Sequence, residues 1–356
     1  MWSVGPVPRL VTAMLVLAIA VPASAAGQSW EVEVHGGYLL SSNPIGGEGA
    51  LPGVNSASAS VVPSWYFGDG ALVLNQALTS IRPNAAIVPL NPVLQRSFVE
   101  RRSGGSVGVR IGRVLTPRFG AEFTLEEGFG ALAVTPTSQA GVEATRASFV
   151  TAWNAALGGP FPGSLTVTSL ATIGGREGRQ RFATGALLIN LSSGGKLKPY
   201  AALGAGLIAN RNGAPGAQLV GSYRFSLALP PGIPVAAPMF HETDTVTVRS
   251  TVGNEFTGVL GGGFKYALSE RWGVRADVRD YISQNNVDTI LTATPTSELF
   301  PPGGVLTLFT MPPLRFSTLA TVPSTLGGTP VSSFTTFHGT GVRNQVRVAV
   351  GLFWRF

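Results

Sequence analysis

Between residues 106 and 130, apolar and polar side chains alternate with a period of two on both sides of a short turn. Val107, Val109 and Ile111 share one face, with Gly108, Arg110 and Gly112 opposite. After Thr116-Pro117-Arg118-Phe119, Ala121, Phe123, Leu125 and Phe129 oppose Glu122, Thr124, Glu126 and Gly128. Period two belongs to strands, and here the polar face carries charge. The pattern recurs at 254–266 and 272–283, around the turn 267–271. Phe256, Gly258, Leu260, Gly262 and Phe264 oppose Glu255, Thr257, Val259 and Lys265; Val274, Ala276 and Val278 oppose Arg275, Asp277 and Arg279. A third pair, 180–191 and 200–210, flanks the turn 192–199, but its small residues leave the two faces without a clear parity. Two strands stand alone. One, at 29–40, sets Trp30, Val32, Val34 and Tyr38 against Glu31, Glu33 and His35. The other, at about 343–356, sets Val348, Val350, Leu352, Trp354 and Phe356 against Arg347 and Arg355.

One strand, three pairs and one strand make eight, with both ends of the set on the side of the short turns. Even numbers of antiparallel strands of this length, apolar on one face and polar on the other, form transmembrane barrels. The fold class is therefore all-β: a closed antiparallel eight-stranded transmembrane β-barrel with four long extracellular loops and some short helices in them. Closure pairs the first strand with the last and removes every edge, as lipid demands. Trp30, Tyr200, Tyr266, Trp272, Trp354 and Phe356 all fall at strand ends beside short turns or termini, where an aromatic girdle meets the membrane interface. A soluble β-sandwich, the competing architecture, has no reason to gather them at one level.

The long segments cover about 41–104, 131–179, 211–253 and 284–342. Residues 69–81 place Leu74, Leu78 and Ile81 on a helical stripe that Asp69 could N-cap. Residues 141–159 carry Phe149, Val150, Trp153 and Leu157 at helical spacing and stop at Gly158-Gly159-Pro160; Val142 lies on the same face, with Arg146 interrupting. Residues 298–316 are apolar and proline-rich. Packing of these stripes on one another as a crown is favoured over a binding surface or lid.

Composition narrows the classes. Of 356 residues 44% are hydrophobic and only 12% charged, yet no apolar run reaches the roughly 18 residues of a membrane-spanning helix. The 46 glycines and 26 prolines favour strands, turns and loops over a helical bundle. The absence of cysteine excludes disulfides and thiol chemistry. A net charge of +7 without basic clusters gives no footing for nucleic acid. At the N-terminus, Arg9, an apolar stretch 10–21, Pro22 and Ala23-Ser24-Ala25 form a secretory signal over 1–25. Residues 26–356 are then a single barrel domain; a retained anchor helix is the alternative.

This pattern resembles the small eight-stranded outer-membrane proteins of the OmpA/OmpX type, the outer membrane protein β-barrel domain family, over nearly the whole mature chain. The resemblance is carried by the aromatic C-terminal strand, by 115–120 (LTPRFG) and 267–273 (ALSERWG), and by the 192–200 hairpin (SSGGKLKPY). It implies localisation in the outer membrane of a diderm bacterium. It also implies that Phe356, Trp354, Leu352, Val350 and Val348 are the signal read by the outer-membrane assembly machinery. The sequence departs from two-domain members in lacking a peptidoglycan-binding domain after Phe356, and its loops are longer than the family norm.

Eight strands leave an interior that side chains can fill. The inward charged set is Glu31, Glu33, His35, Arg110, Glu122, Glu126, Glu255, Lys265, Arg275, Asp277, Arg279 and Arg347, with acids and bases nearly balanced, as a salt-bridged plug requires. Gly261-Gly262-Gly263 lies within a strand and eases curvature or close packing. His35 sits beside carboxylates, and His241 and His338 lie in loops with no evident nucleophile partner; Ser64, Ser250 and Ser332 are not distinguished from other serines. No H-E-x-x-H or metal-spaced cluster occurs, so neither an enzyme nor a cofactor or metal is expected. The expected partners are outer-membrane lipid and lipopolysaccharide, the assembly machinery and an unknown extracellular ligand, around a monomer. The role expected is structural or surface-interacting: envelope integrity, adhesion or ligand binding. A small-solute channel is the first alternative and a lipid A-modifying enzyme the second.

Overall fold

The computed structural model describes residues 29–41, 44–45, 49–50, 64–82, 84–158, 164–192, 194–211, 214–226, 239–294, 296–300 and 333–356. In chain order the first half comprises β1 (Trp30–Ser41), β2 (Pro44–Ile45), β3 (Gly49–Ala50), α1 (Gly68–Ile81), α2 (Asn91–Leu94), β4 (Val99–Arg101), β5 (Gly104–Val114), β6 (Phe119–Val134), α3 (Pro136–Leu157) and β7 (Leu165–Gly174). The second half comprises β8 (Arg176–Asn190), β9 (Leu197–Arg211), β10 (Gly216–Ser226), β11 (Met239–Val252), β12 (Glu255–Ala267), β13 (Trp272–Ala293), β14 (Thr296–Phe300) and β15 (Ser333–Arg355).

Eight of these strands close on themselves in the order β1-β5-β6-β8-β9-β12-β13-β15, every neighbour antiparallel, with β15 returning to β1. The seam register pairs Glu31 with Arg355 and Tyr38 with Val348. At its end, Trp30 and Phe356 exchange both backbone hydrogen bonds at 3.0 Å. The three short turns lie where the alternation breaks, at 115–118, 191–196 and 268–271. In the second, Gly195 takes φ +88°, open to glycine at no steric cost. The outward positions form an apolar belt that includes Val34, Val109, Leu125, Leu203, Leu260, Val278 and Val350, all exposed. Among large hydrophobic side chains this is the normal inside-out arrangement of a barrel in lipid. Asp280 breaks the outward row of β13 between Val278 and Ile282.

β13 and β15 outgrow the barrel. They run 22 and 23 residues, about twice what a tilted strand needs to cross. Above the barrel, β13 continues into a second sheet, β13-β11-β10-β7, with β14 also on β11. The helices α3 and α1 pack with this sheet around one large apolar core. The loops thus fold into a crown built of strands as well as helices. The extra strands were not expected from the sequence.

α3 begins five residues earlier than its apolar stripe suggests. Thr135 caps it, its hydroxyl accepting from Ser138 N at 3.1 Å, with Pro136 at the first helical position, a site whose missing N–H costs nothing. Val142, Phe149 and Trp153 are buried; Arg146, which interrupts the stripe, pairs with Glu143 instead. In α1, Leu74 and Leu78 are buried. Its N-cap is Phe67 rather than Asp69, and the Gly68 N–H is taken by Asn91 Oδ1 at 3.0 Å. The side chain of Ile81, and residues 301–316 of the proline-rich stretch, lie outside the described residues, as does the leader segment.

Candidate functional site

The inward-facing positions fill the lumen in levels. The central level holds four arginines and four carboxylates on five strands. Arg110 Nη1 donates to Glu33 Oε1 at 2.7 Å, and Arg275 Nη1 to Glu122 Oε2 at 2.8 Å. Arg279 also donates to Glu122, and Arg347 to Glu126. Asp277 touches all four arginines, at 3.2 Å from Arg110, 3.3 Å from Arg275 and Arg279, and 2.8 Å from Arg347. His35 Nε2 lies 3.4 Å from Glu126 Oε2. Charge balance is what makes such burial tolerable, because an unpaired buried ion carries a penalty of several kcal/mol. Glycines make room for the long side chains: a Cβ on Gly351 would meet Glu33 Oε1 at 2.5 Å and His35 Cβ at 2.9 Å.

Toward the short turns, Lys265 and Arg355 both bond Glu31. Tyr200 joins this network: it donates to Asp277 Oδ2 at 2.9 Å, accepts from Arg275 Nε at 2.6 Å and lies under the Arg275 guanidinium, 4.4 Å from ring centre. Tyr200 is therefore a lumen residue, not a member of the girdle. The expectation rested on its place beside a turn, and in β9 only Leu203 and its row, on the odd positions, face outward. The other five girdle residues cluster at the short-turn end. Trp272 and Trp354 are cross-strand partners 6.4 Å apart, Trp354 stacks on Phe356 at 4.9 Å, Tyr266 is exposed and Trp30 half-buried under Arg113.

Above the charged level lies an apolar layer of Leu39, Phe182, Ile208, Val259 and Tyr281. Beyond it a ring of side chains closes across the barrel. Gln345 Nε2 donates to Gln180 Oε1 (3.0 Å), Gln180 Nε2 to Asn210 Oδ1 (2.9 Å) and Asn210 Nδ2 to Glu255 Oε1 (2.9 Å). Arg343 Nη2 completes it, bonding Glu255 Oε2 (3.2 Å) and Gln345 Oε1 (3.0 Å). Arg101, on β4, reaches in from above to Asn210 Oδ1 at 3.1 Å. Each of the twelve charged positions expected inside is buried in the lumen. Sequence reasoning missed Arg343, which shares the parity of Arg347 four residues on, and Arg101, which lies off the barrel strands.

In the crown, the residues entering α1 are pinned to β11. Asp244 Oδ2 accepts from Trp65 N (2.7 Å) and Ser64 Oγ (2.9 Å), while Glu242 accepts from the Trp65 indole (2.9 Å) and from Tyr223. Trp153 of α3 stacks on Tyr223 at 3.9 Å, and Trp65 meets Trp153 edge-on at 5.1 Å. Burial, with Glu242 close by, pushes the Asp244 carboxyl up to about 7 against the pull of Ser64, and burial likewise raises the Tyr66 and Tyr223 hydroxyls.

The loop histidines do find partners. His241 Nε2 lies 2.9 Å from Ser222 Oγ on the next strand, and His338 Nδ1 2.6 Å from Asp288 Oδ1. The Ser222–His241 pair sits within a continuous ladder, where neighbouring backbone N–H groups are spent on strand pairing; acyl chemistry asks for such donors free as an oxyanion hole. Among the described residues no cluster of three or more His, Cys, Asp or Glu side chains could hold a metal, and no helix is long and apolar enough to cross a membrane. The five residues of the expected assembly signal, Val348, Val350, Leu352, Trp354 and Phe356, all point outward from β15 and its end.

No family model matches the chain, and no curated protein matches it. Among solved structures it is similar to the outer membrane protein OprG from Pseudomonas aeruginosa, at 12% identity and a TM-score of 0.36, covering 92% of this chain and 97% of that one. It is also similar to an outer membrane channel from Pseudomonas putida F1 (7%, TM-score 0.21, 93% and 99% covered). A third is the translocator domain of the autotransporter NalP from Neisseria meningitidis (10%, TM-score 0.22, 98% and 94% covered).

Proposed function

We propose that the chain is a surface-interaction protein in the outer membrane of a diderm bacterium, a small barrel of the OmpA/OmpX type with an enlarged extracellular crown. The lumen is the structural part and the crown the working part. The observation that carries this reading is the edge of β7. Among the described residues β7 pairs only with β10. The Ser226 N to Ser164 O bond at 3.0 Å sets the phase, so residues 165, 167, 169, 171 and 173 aim their backbone groups away from β10. One of those carbonyls, Ser169 O, accepts from Arg146 Nη1 at 3.3 Å.

The strand Leu165–Gly174 has no charge and no proline, the usual devices by which proteins blunt an edge. Such an edge accepts an extended strand of a partner polypeptide by β-addition. A second copy fits less well, since antiparallel pairing about Ser169 would bring two Arg146 guanidinium groups together.

The test is binding of an extended Thr/Val-alternating peptide to the detergent-solubilised barrel by fluorescence anisotropy. Ala171→Pro removes an N–H that faces the open edge and no bond to β10, so it abolishes binding while leaving the heat-modifiable gel shift unchanged. Undiminished binding by that variant overturns the edge as the site. Steady conductance in planar bilayers would instead favour a small-solute channel, against which the filled lumen speaks.

A further inference from the structure

The level above the apolar layer does not balance its charge. Arg343 is 1% exposed and Arg101 4%, and the carboxylate that bonds into this ring is Glu255. Two guanidinium groups thus face one carboxylate among the described residues there, whereas the level below matches four with four. Arg343 spends Nη2 on Glu255 and Gln345, which leaves Nε and Nη1 buried without an acceptor among the described residues. Arg101 spends Nη1 on Gly178 O (2.9 Å) and Gly130 O (3.3 Å) and Nη2 on Asn210, and its Nε is likewise without one.

Arginine cannot relieve the excess by losing a proton. Water would satisfy the donors but leave the charge. We infer that this level holds one small inorganic anion of halide size, coordinated by Arg343 with Arg101 as the second cation. Size follows from the barrel: an interior of eight strands has room for side chains and little else, and the amide ring of Gln345, Gln180 and Asn210 already crosses it. The apolar layer below shields the ion from the balanced network, which has no charge to offer it. This site is independent of the β7 edge, and either can stand without the other.

The experiment uses the full-length barrel, folded in detergent, with chloride or bromide compared against gluconate at equal ionic strength. The midpoint of the heat-modifiable gel shift of the wild type rises saturably with halide. Arg343→Gln, which keeps the side chain polar and removes the charge, shows no halide response. If that variant does not assemble, Arg101→Gln takes its place and needs about tenfold more halide for half-saturation. Crystals grown with bromide show an anomalous peak against Arg343. Equal midpoints in halide and gluconate for the wild type, with no bromide peak, would mean that water alone fills the level and the inference is wrong.

Discussion

Arg347 and Asp277 lie on adjacent strands two positions out of register, and Arg347 Nη2 meets Asp277 Oδ1 at 2.8 Å. That diagonal leaves the other carboxylate oxygen free to meet Arg110, Arg275 and Arg279. Asp277→Asn keeps the shape and leaves four central arginines with three carboxylates. The expected loss is about 3–5 kcal/mol, the range for breaking a buried pair by removing one partner. Urea titration of the folded band on cold gels measures it; a variant as stable as the wild type would show that the network does not hold the lumen.

Asp244 makes the crown sensitive to pH. Its carboxyl titrates near 7 in the fold and near the usual carboxylate value in the unfolded chain. The folded state therefore holds the proton where the unfolded state has lost it. Stability is full below about pH 4, falls as pH rises to about 7, and is flat above, with a total swing of up to about 4 kcal/mol. The groups facing it are Glu242 on its own strand, Tyr223 on β10 and Tyr66 ahead of α1. Protease sensitivity of the crown, followed with fluorescence of Trp65 and Trp153, should rise across that window and lose its slope in Asp244→Asn.

Gly351 stands where β15 passes Glu33 and His35. Adding a methyl group there puts Cβ within 2.5 Å of Glu33 Oε1. Gly351→Ala is expected to lower stability by about 1–3 kcal/mol, the scale of overpacking. The outward-facing Ala276→Val, one strand over, should be close to neutral in the same gel assay.

Phe356 contributes two backbone bonds to Trp30 and a stacked ring to Trp354. Its deletion shortens the seam at its end and removes the last residue of the proposed assembly signal. We expect it to reduce the amount of folded barrel in outer-membrane fractions more than deletion of any single loop does. Refolding of the same variant into detergent separates recognition from seam strength: normal refolding with poor assembly in cells points to recognition.

The barrel was legible where one face of each strand is charged. Arg275, Asp277 and Arg279 alternate with Val274, Ala276 and Val278, so parity and lumen follow together. In 200–210 small residues and aliphatic ones occupy both faces, and nothing in the row says which way Tyr200 points; its partners, Asp277 and Arg275, lie 77 and 75 residues away. The crown was half legible. Helical stripes marked α1 and α3, but Thr135-Pro136 ahead of α3 carried a start signal outside the apolar run. In β11, His241 to Val252 alternates as plainly as the barrel strands do. There Glu242 and Asp244 share the face of Phe240, Val246 and Val248, so acids interrupt the apolar row and the alternation did not separate a crown strand from a loop. The closed ring at the barrel mouth depends on registers between five strands and on β4, which no local pattern contains.

The β13–β15 ladder runs unbroken from the aromatic girdle into the crown, pairing Trp272 with Trp354 at one end and Ala293 with Ser333 at the other. A partner pulling on the crown would load that ladder along its length. Its cross-strand bonds lie perpendicular to the strands, so they would share the force in shear instead of opening one by one as a zipper. On the surface-interaction reading proposed above, that ladder would serve as a tether, and the crown would come apart before its stalk slipped.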